Sequence, residues 1–298
     1  MTTATTTLSE AQTKPSLRIR SAMGGLKTTL IYAVMGLLSL FFLFPLVWMI
    51  GTSLKTITEI TPPQFNLLPV VPQFQNYAKL LSQEAFYQAY TNSIFIATIV
   101  LLGTVFSISL VAYAFSRLEW KGRGIVFALM MGTLLLPSQA TLVPQYALFF
   151  NLGWLQTFNP ITLPGFFGGG AALIFLLRQF MLTLPKELDE AAVMDGATPL
   201  EIWWYIIMPL SRPAIATVTV FLFVGQWNNL LLPSIYLQRS QLFPMPLFIV
   251  FKNNSNVTPV PWQDIMAASV LFVIPLLVVF ILTQRYFVQS IAMTGSKG

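Results

Sequence analysis

Histidine and cysteine are both absent from this chain of 298 residues. Without them there is no thiolate nucleophile, no disulfide framework and no Cys/His metal site. The commonest general base is missing as well, so hydrolytic chemistry is not expected, and no catalytic, cofactor-binding or metal-ligating residue is assigned. The side chains left to do chemistry are carboxylates and amides. Five of the ten acids, Glu187, Asp189, Glu190, Asp195 and Glu201, fall within residues 181–213. Five amides, Gln139, Gln145, Gln226, Asn228 and Asn229, interrupt otherwise apolar stretches. In hydrocarbon an unpaired amide is costly, so such residues either line the path of a polar solute or hydrogen-bond one helix to another. Both readings stay open.

The acid-rich segment has a local plan. Pro185 suits the first turn of a helix, and no breaker falls between Lys186 and Asp195. Gly196 provides the left-handed residue that ends such a helix. Thr198 is then an N-cap, Pro199 the first helical position, and Glu201 completes a capping box. The spacing predicts two short helices with a sharp bend at Gly196. Small side chains at Ala191, Ala192 and Ala197 leave a thin surface there, which permits close approach of another protein. So stiff a loop reads as a docking element rather than a tether.

The elements that carry these residues are membrane spans. The chain is 55% apolar and only 9% charged, with a mean hydropathy of +0.72, against roughly 25% charged residues in soluble domains. Such a chain lacks the polar surface to face water on all sides, so lipid is its expected solvent. A helix needs about 20 apolar residues to cross the hydrocarbon core. Six stretches qualify: about 28–50, 89–115, 125–149, 160–180, 214–232 and 265–287. Pro137, Pro144, Pro164 and the run Gly168-Gly169-Gly170 are expected to kink or break the third and fourth. The expected class is an all-α integral membrane protein, with a six-helix domain over 28–288, a stiff docking loop over 182–213, a disordered tail over 1–27 and a short tail over 289–298.

With the N-terminus inside, twelve Lys and Arg fall on one side (Lys14, Arg18, Arg20, Lys27, Arg117, Lys121, Arg123, Arg178, Lys186, Arg212, Arg285 and Lys297) and four on the other (Lys55, Lys79, Arg239 and Lys252). The positive-inside bias then places both termini in the cytoplasm and accounts for the net charge of +6. No basic cluster with interleaved aromatics suggests nucleic acid. Gly24-Gly25-Leu26-Lys27-Thr28 lacks the glycine directly before lysine that a phosphate loop needs, so no nucleotide site is expected. The aromatics, Trp48, Trp203 and Trp204 among them, read mainly as lipid contacts and interfacial belts. Two outer segments, about 51–88 and 233–264, are either solvated connectors or contacts for an outside partner.

Glu190-Ala191-Ala192, then Gly196, then nine residues and Ile206-Ile207-Met208-Pro209, reproduces the EAA pattern, with Met208 where leucine is usual. The chain thereby resembles the permease subunits of bacterial ATP-binding-cassette importers. Asn76-Tyr77, Asn92-Ser93, the run from Ala112 to Arg117, Gly122-Arg123, Arg178-Gln179-Phe180, Trp227-Asn228 and the run from Gln284 to Val288 extend the similarity to the sugar-permease branch, and within it to the MalG-like subunit. The extra N-terminal spans and large outer domain typical of the MalF-like partner are not seen.

That resemblance implies a division of labour. Two permease subunits form the pathway for a sugar or oligosaccharide in the bacterial inner membrane. A dimer of cytoplasmic ATPases binds ATP and Mg, so this subunit needs no cofactor of its own. Glu187, Glu190, Ala191, Ala192, Asp195, Gly196, Ala197 and Pro209 would seat in an ATPase cleft. A solute-binding protein would dock outside, with Phe251, Lys252, Asn253 and Asn254 in the segment reaching toward it. Ser290 and Thr294 stand where the family usually has glycine. The rival reading, an ion-coupled secondary transporter, calls for an ionisable relay inside the membrane. Asp264 lies only at the edge of the sixth stretch.

Overall fold

The computed structural model describes residues 16–60, 66–253 and 261–295, and among them every regular element is helical. In chain order α1 is Ser16–Ser53, α2 Ile57–Ile60, α3 Gln75–Leu81, α4 Glu84–Ser116 and α5 Arg123–Gly132. Then come α6 Ser138–Asn151, α7 Asn159–Thr162, α8 Ala171–Met181, α9 Glu187–Met194 and α10 Pro199–Glu201. The last five are α11 Met208–Leu210, α12 Arg212–Trp227, α13 Leu231–Tyr236, α14 Met245–Asn253 and α15 Trp262–Gly295. Asn254 and residues 1–15 lie outside the described residues.

Four helical stretches are long and apolar enough to cross a membrane alone: Thr28–Ser53 in α1, α4, Asn159–Met181 and Trp262–Gln284 in α15. Two bent pairs of helices qualify only when each pair is taken together. Arg123–Leu135 meets α6 at 99°, and Pro199–Leu210 meets α12 at 80°. The six apolar stretches therefore correspond to four single candidate crossings, one of them interrupted at Gly168–Gly170, and two bent pairs. Pro137 causes the first bend: it holds Leu136 extended (ψ 120°) and starts α6 with no amide to donate.

Three boundaries differ from expectation. Helix α1 already runs at Ser16, so residues 16–27 extend the helix ahead of the first span, in place of the expected disordered tail. Helix α15 likewise runs on to Gly295, past the expected start of a tail at 289. The fifth span stops at Trp227, well short of 232, because Asn228 turns its own amide group back onto the Val224 carbonyl (2.8 Å) and closes the helix.

Helix α4 is the spine of the bundle. Small residues on it let other backbones approach closely, the usual device of membrane helix packing. A β-carbon on Gly103 would fall 2.2 Å from the Phe166 ring, and one on Gly165 would fall 2.3 Å from Thr104 Oγ1. Three consecutive glycines with positive φ, Gly168 (103°), Gly169 (50°) and Gly170 (118°), break the fourth span into two halves. The freed Gly168 amide donates to Ser107 Oγ on α4 at 2.8 Å, so the break stays satisfied in the membrane.

Candidate functional site: the acidic elbow and the cavity above it

The elbow has the plan read from its residues. Helix α9 ends in a Schellman motif. The Gly196 amide donates to the Val193 carbonyl at 3.0 Å and the Ala197 amide to the Ala192 carbonyl at 2.9 Å. Gly196 adopts φ +84°, which a side chain would strain. Two residues on, Thr198 and Glu201 close a capping box: the Thr198 amide donates to Glu201 Oε2 at 2.7 Å, and the Glu201 amide to Thr198 Oγ1 at 3.4 Å. The Thr198 amide, and after it the Thr198 hydroxyl donating to the same oxygen at 2.7 Å, hold the Glu201 carboxyl below the usual glutamate range. Residues 202–207 continue as a π-helix, with the Met208 amide reaching Trp203's carbonyl. That wide turn sits directly ahead of Pro209, whose ring would clash with the carbonyl four residues back in a regular α-helix.

One face of the elbow is open and the other is anchored. Glu187, Glu190, Ala191 and Met194 share the exposed face of α9 at helical spacing. Asp195 and Gly196 follow it into the open bend, and Val193, Met194 and Leu200 are 60%, 86% and 65% exposed. The acids in the first turn of α9 complement the positive end of its dipole. Inward, Ala192, Ile202, Trp203 and Ile207 join one buried cluster with Ile108, Ala112 and Phe115 of α4 and Leu177 of α8. Ala197 packs against that cluster from the rim, while Pro209 is exposed. Trp203 is thus a core residue, only 5% exposed, because the π-turn rotates it inward onto α4. Of this pair it is Trp204, 53% exposed, that faces outward.

Sequence reasoning placed no anchoring role on Arg117. Its side chain is 3% exposed and contacts Asp189 Oδ2 at 3.1 Å. It also donates to the Met181 and Leu184 carbonyls at 2.6 and 2.9 Å. The available signal was a basic residue ending an apolar helix, which reads equally well as an ordinary positive-inside charge.

Above the elbow lies a cavity of about 700 Å³ whose walls include Thr104 of α4, Met130 and Thr133, the Gly168–Gly170 break, and Leu222 and Gln226 of α12. Of the five amides singled out, only Gln226 reaches it. Asn228 caps the end of α12, and Asn229 Oδ1 accepts the Leu232 amide at 3.2 Å at the start of α13. Both sit beyond the helix they were expected to occupy. Gln139 and Gln145 are exposed on α6, where Gln145 donates to Thr141 at 3.1 Å. Among the described residues no cluster of metal-ligating side chains occurs.

On the opposite side of the bundle, Phe251 is exposed and packs edge to face on Phe243 at 5.6 Å. Lys252 pairs with Asp264 at 3.6 Å and donates to Gln83 at 3.1 Å, tying the end of α14 to the starts of α15 and α4. Asn253 is the last residue of α14. The Asp264 carboxylate is therefore half of an ion pair at a helix start.

Residues 107–293 match the family described as "Binding-protein-dependent transport system inner membrane component". The chain is 32% identical over 267 residues to the trehalose/maltose transport system permease protein MalG of Thermococcus litoralis, covering 88% of this chain and 94% of that one. It is 29% identical to the arabinooligosaccharides transport system permease protein AraQ of Bacillus subtilis, over 88% and 93% of the two chains. Among solved structures it resembles a bacterial ABC transporter involved in the import of the acidic polysaccharide alginate. That likeness has a TM-score of 0.78 and 25% identity, over 93% of this chain and all of the other.

Proposed function

The chain belongs to the family of binding-protein-dependent transport system inner membrane components, and on that premise we propose that it forms half of the pathway for an oligosaccharide. Its partners in this reading are a second, MalF-like permease subunit, a dimer of cytoplasmic ATPases that holds ATP and Mg, and a solute-binding protein outside. Both termini lie in the cytoplasm.

The observation that carries the reading is the elbow itself. An exposed, acidic and partly apolar face (Glu187, Glu190, Met194, Leu200) is held rigidly by buried contacts to two membrane helices. Exposed apolar residues grouped on a stiff scaffold are the physical signature of a docking surface. ATP-driven closure of the ATPases would draw two such elbows together and rock each bundle as a body. The oligosaccharide substrate is inferred from the relatives, whose names refer to arabinooligosaccharides and trehalose/maltose. Gln226 and the Gly168–Gly170 backbone supply polar groups to the cavity wall.

The test is uptake into vesicles that hold the four-component transporter, with labelled oligosaccharides on a cognate binding protein. Uptake that requires ATP on the elbow side and is abolished by Glu190→Lys supports the reading. Uptake that runs on a proton or sodium gradient without ATP would replace it with the ion-coupled alternative.

A further inference from the structure

Three helix ends converge on one guanidinium. Arg117 closes α4, its own amide donating to the Tyr113 carbonyl at 2.9 Å. Its side chain donates to the Met181 carbonyl (2.6 Å), at the end of α8, and to the Leu184 carbonyl (2.9 Å), in the turn that follows it. The same group meets Asp189 Oδ2, in the first turn of α9, at 3.1 Å. A second arginine runs parallel to it: Arg178 Nε donates to the Phe115 carbonyl at 3.2 Å, and its guanidinium lies 4.3 Å from the centre of the Phe127 ring.

We infer that Arg117 is the positioning residue through which the docking helix α9 moves α4. The inference rests on the reading of the elbow as the ATPase-docking element. Helix α9 has one buried side chain, Ala192. A methyl group makes a weak mechanical link, so among the side chains of α9 itself the tie to α4 passes chiefly through Asp189, beside the packing of the second limb through Trp203. A buried ion pair contributes little net stability compared with apolar packing. This one is also incompletely satisfied: Arg117 Nε and Asp189 Oδ1 are buried without partners. Its contribution is geometric, since a planar fork with several fixed donors holds three chain segments in one arrangement. Helix α4 then carries the movement to the cavity, because Val100, Thr104 and Val111 on it line the wall. At 1.5 Å per residue, Thr104 lies about 20 Å along the helix from Arg117.

The experiment measures solute imported per ATP hydrolysed by the assembled transporter in vesicles, for the native chain, Asp189→Ala, Arg117→Gln and Arg117→Lys. Asp189→Ala removes the tie at a partly exposed position with a good helix former, so it decides the matter if Arg117→Gln does not assemble. The expected result is near-native hydrolysis with import per ATP reduced about tenfold in Asp189→Ala and Arg117→Gln. Arg117→Lys recovers part of the loss. A merely structural role lowers hydrolysis and import together and leaves their ratio native. A native ratio in Asp189→Ala would overturn the inference while leaving the transporter reading intact. Failure of the native chain to couple ATP to uptake would remove that reading itself.

Discussion

Phe106 on α4 and Trp203 in the elbow meet edge to face, with ring centroids 5.6 Å apart. The contact joins a membrane helix directly to the second limb of the acidic elbow, and Trp203 is almost wholly enclosed by it and its neighbours. An edge-to-face pair adds about 0.5–1.5 kcal/mol to the burial of the ring itself.

Trp203→Ala is therefore expected to loosen the elbow by about 3–5 kcal/mol, the usual cost of emptying a large aromatic site. Trp203→Phe keeps much of the packing and, because the Trp203 indole N–H has no acceptor, loses no hydrogen bond. Thermal unfolding of the solubilised chain will rank native, Phe and Ala in that order. Equal stability of native and Ala would show that the contact is dispensable.

At Gly196 the constraint is backbone geometry. With φ +84°, an alanine is strained by about 1–2 kcal/mol although nothing crowds its β-carbon. Proline is worse, since it cannot adopt that φ and has no amide for Val193. Gly196→Pro is expected to abolish uptake while membrane insertion persists, and Gly196→Ala to reduce it. Membrane-fraction blotting beside vesicle uptake reads both.

The close approach of Gly165 to α4 predicts a rescue. Gly165→Ala places a methyl group 2.3 Å from Thr104 Oγ1, so the fourth span must shift. Adding Thr104→Ala removes that oxygen, leaving the Thr104 Cβ at an ordinary 3.7 Å. The single substitution lowers thermal stability, and the double recovers most of it. A double variant no better than the single would place the clash elsewhere.

The capping box confers a pH dependence whose sign follows from Glu201. Its carboxyl is held down in the folded chain by the Thr198 amide, with a further bond from the Thr198 hydroxyl. The contribution is complete above the unfolded glutamate pKa and is lost as pH falls through the lower, folded one. The protection factor of the amides in the turn from Thr198 to Ile202, measured against the intrinsic exchange rate at each pH, is expected to stay flat from neutrality down to the ordinary glutamate range and to fall below it. Glu201→Gln, which still accepts the Thr198 amide, removes that dependence.

On the side of the bundle opposite the elbow, the Lys252–Asp264 pair is largely enclosed, with side chains 16% and 10% exposed. Asp264→Ala leaves a lysine without its carboxylate and is expected to cost more than replacing both residues with apolar ones. A double-mutant cycle on thermal stability measures the difference. Additive single effects would mean the pair is not coupled.

The membrane character, the six apolar stretches and the elbow's local plan are all properties of the sequence alone. Each depends on neighbours along the chain: a run long enough to span lipid, a glycine able to turn left-handed, a threonine three residues ahead of a glutamate. Local rules suffice where the determining interactions are local.

Tertiary structure decided which side chains meet. Trp203 reads as an interfacial aromatic until the π-turn before Pro209 rotates it into the core. Arg117 and Asp189, 72 residues apart, become partners only when α4 and α8 end side by side. Gln139 and Gln226 look alike as amides in apolar stretches. The 99° bend after α5 leaves Gln139 outside the cavity, while the packing of α12 on α4 brings Gln226 to its wall. Such choices rest on contacts between distant segments, and the spacing of residues along one segment carries no record of them.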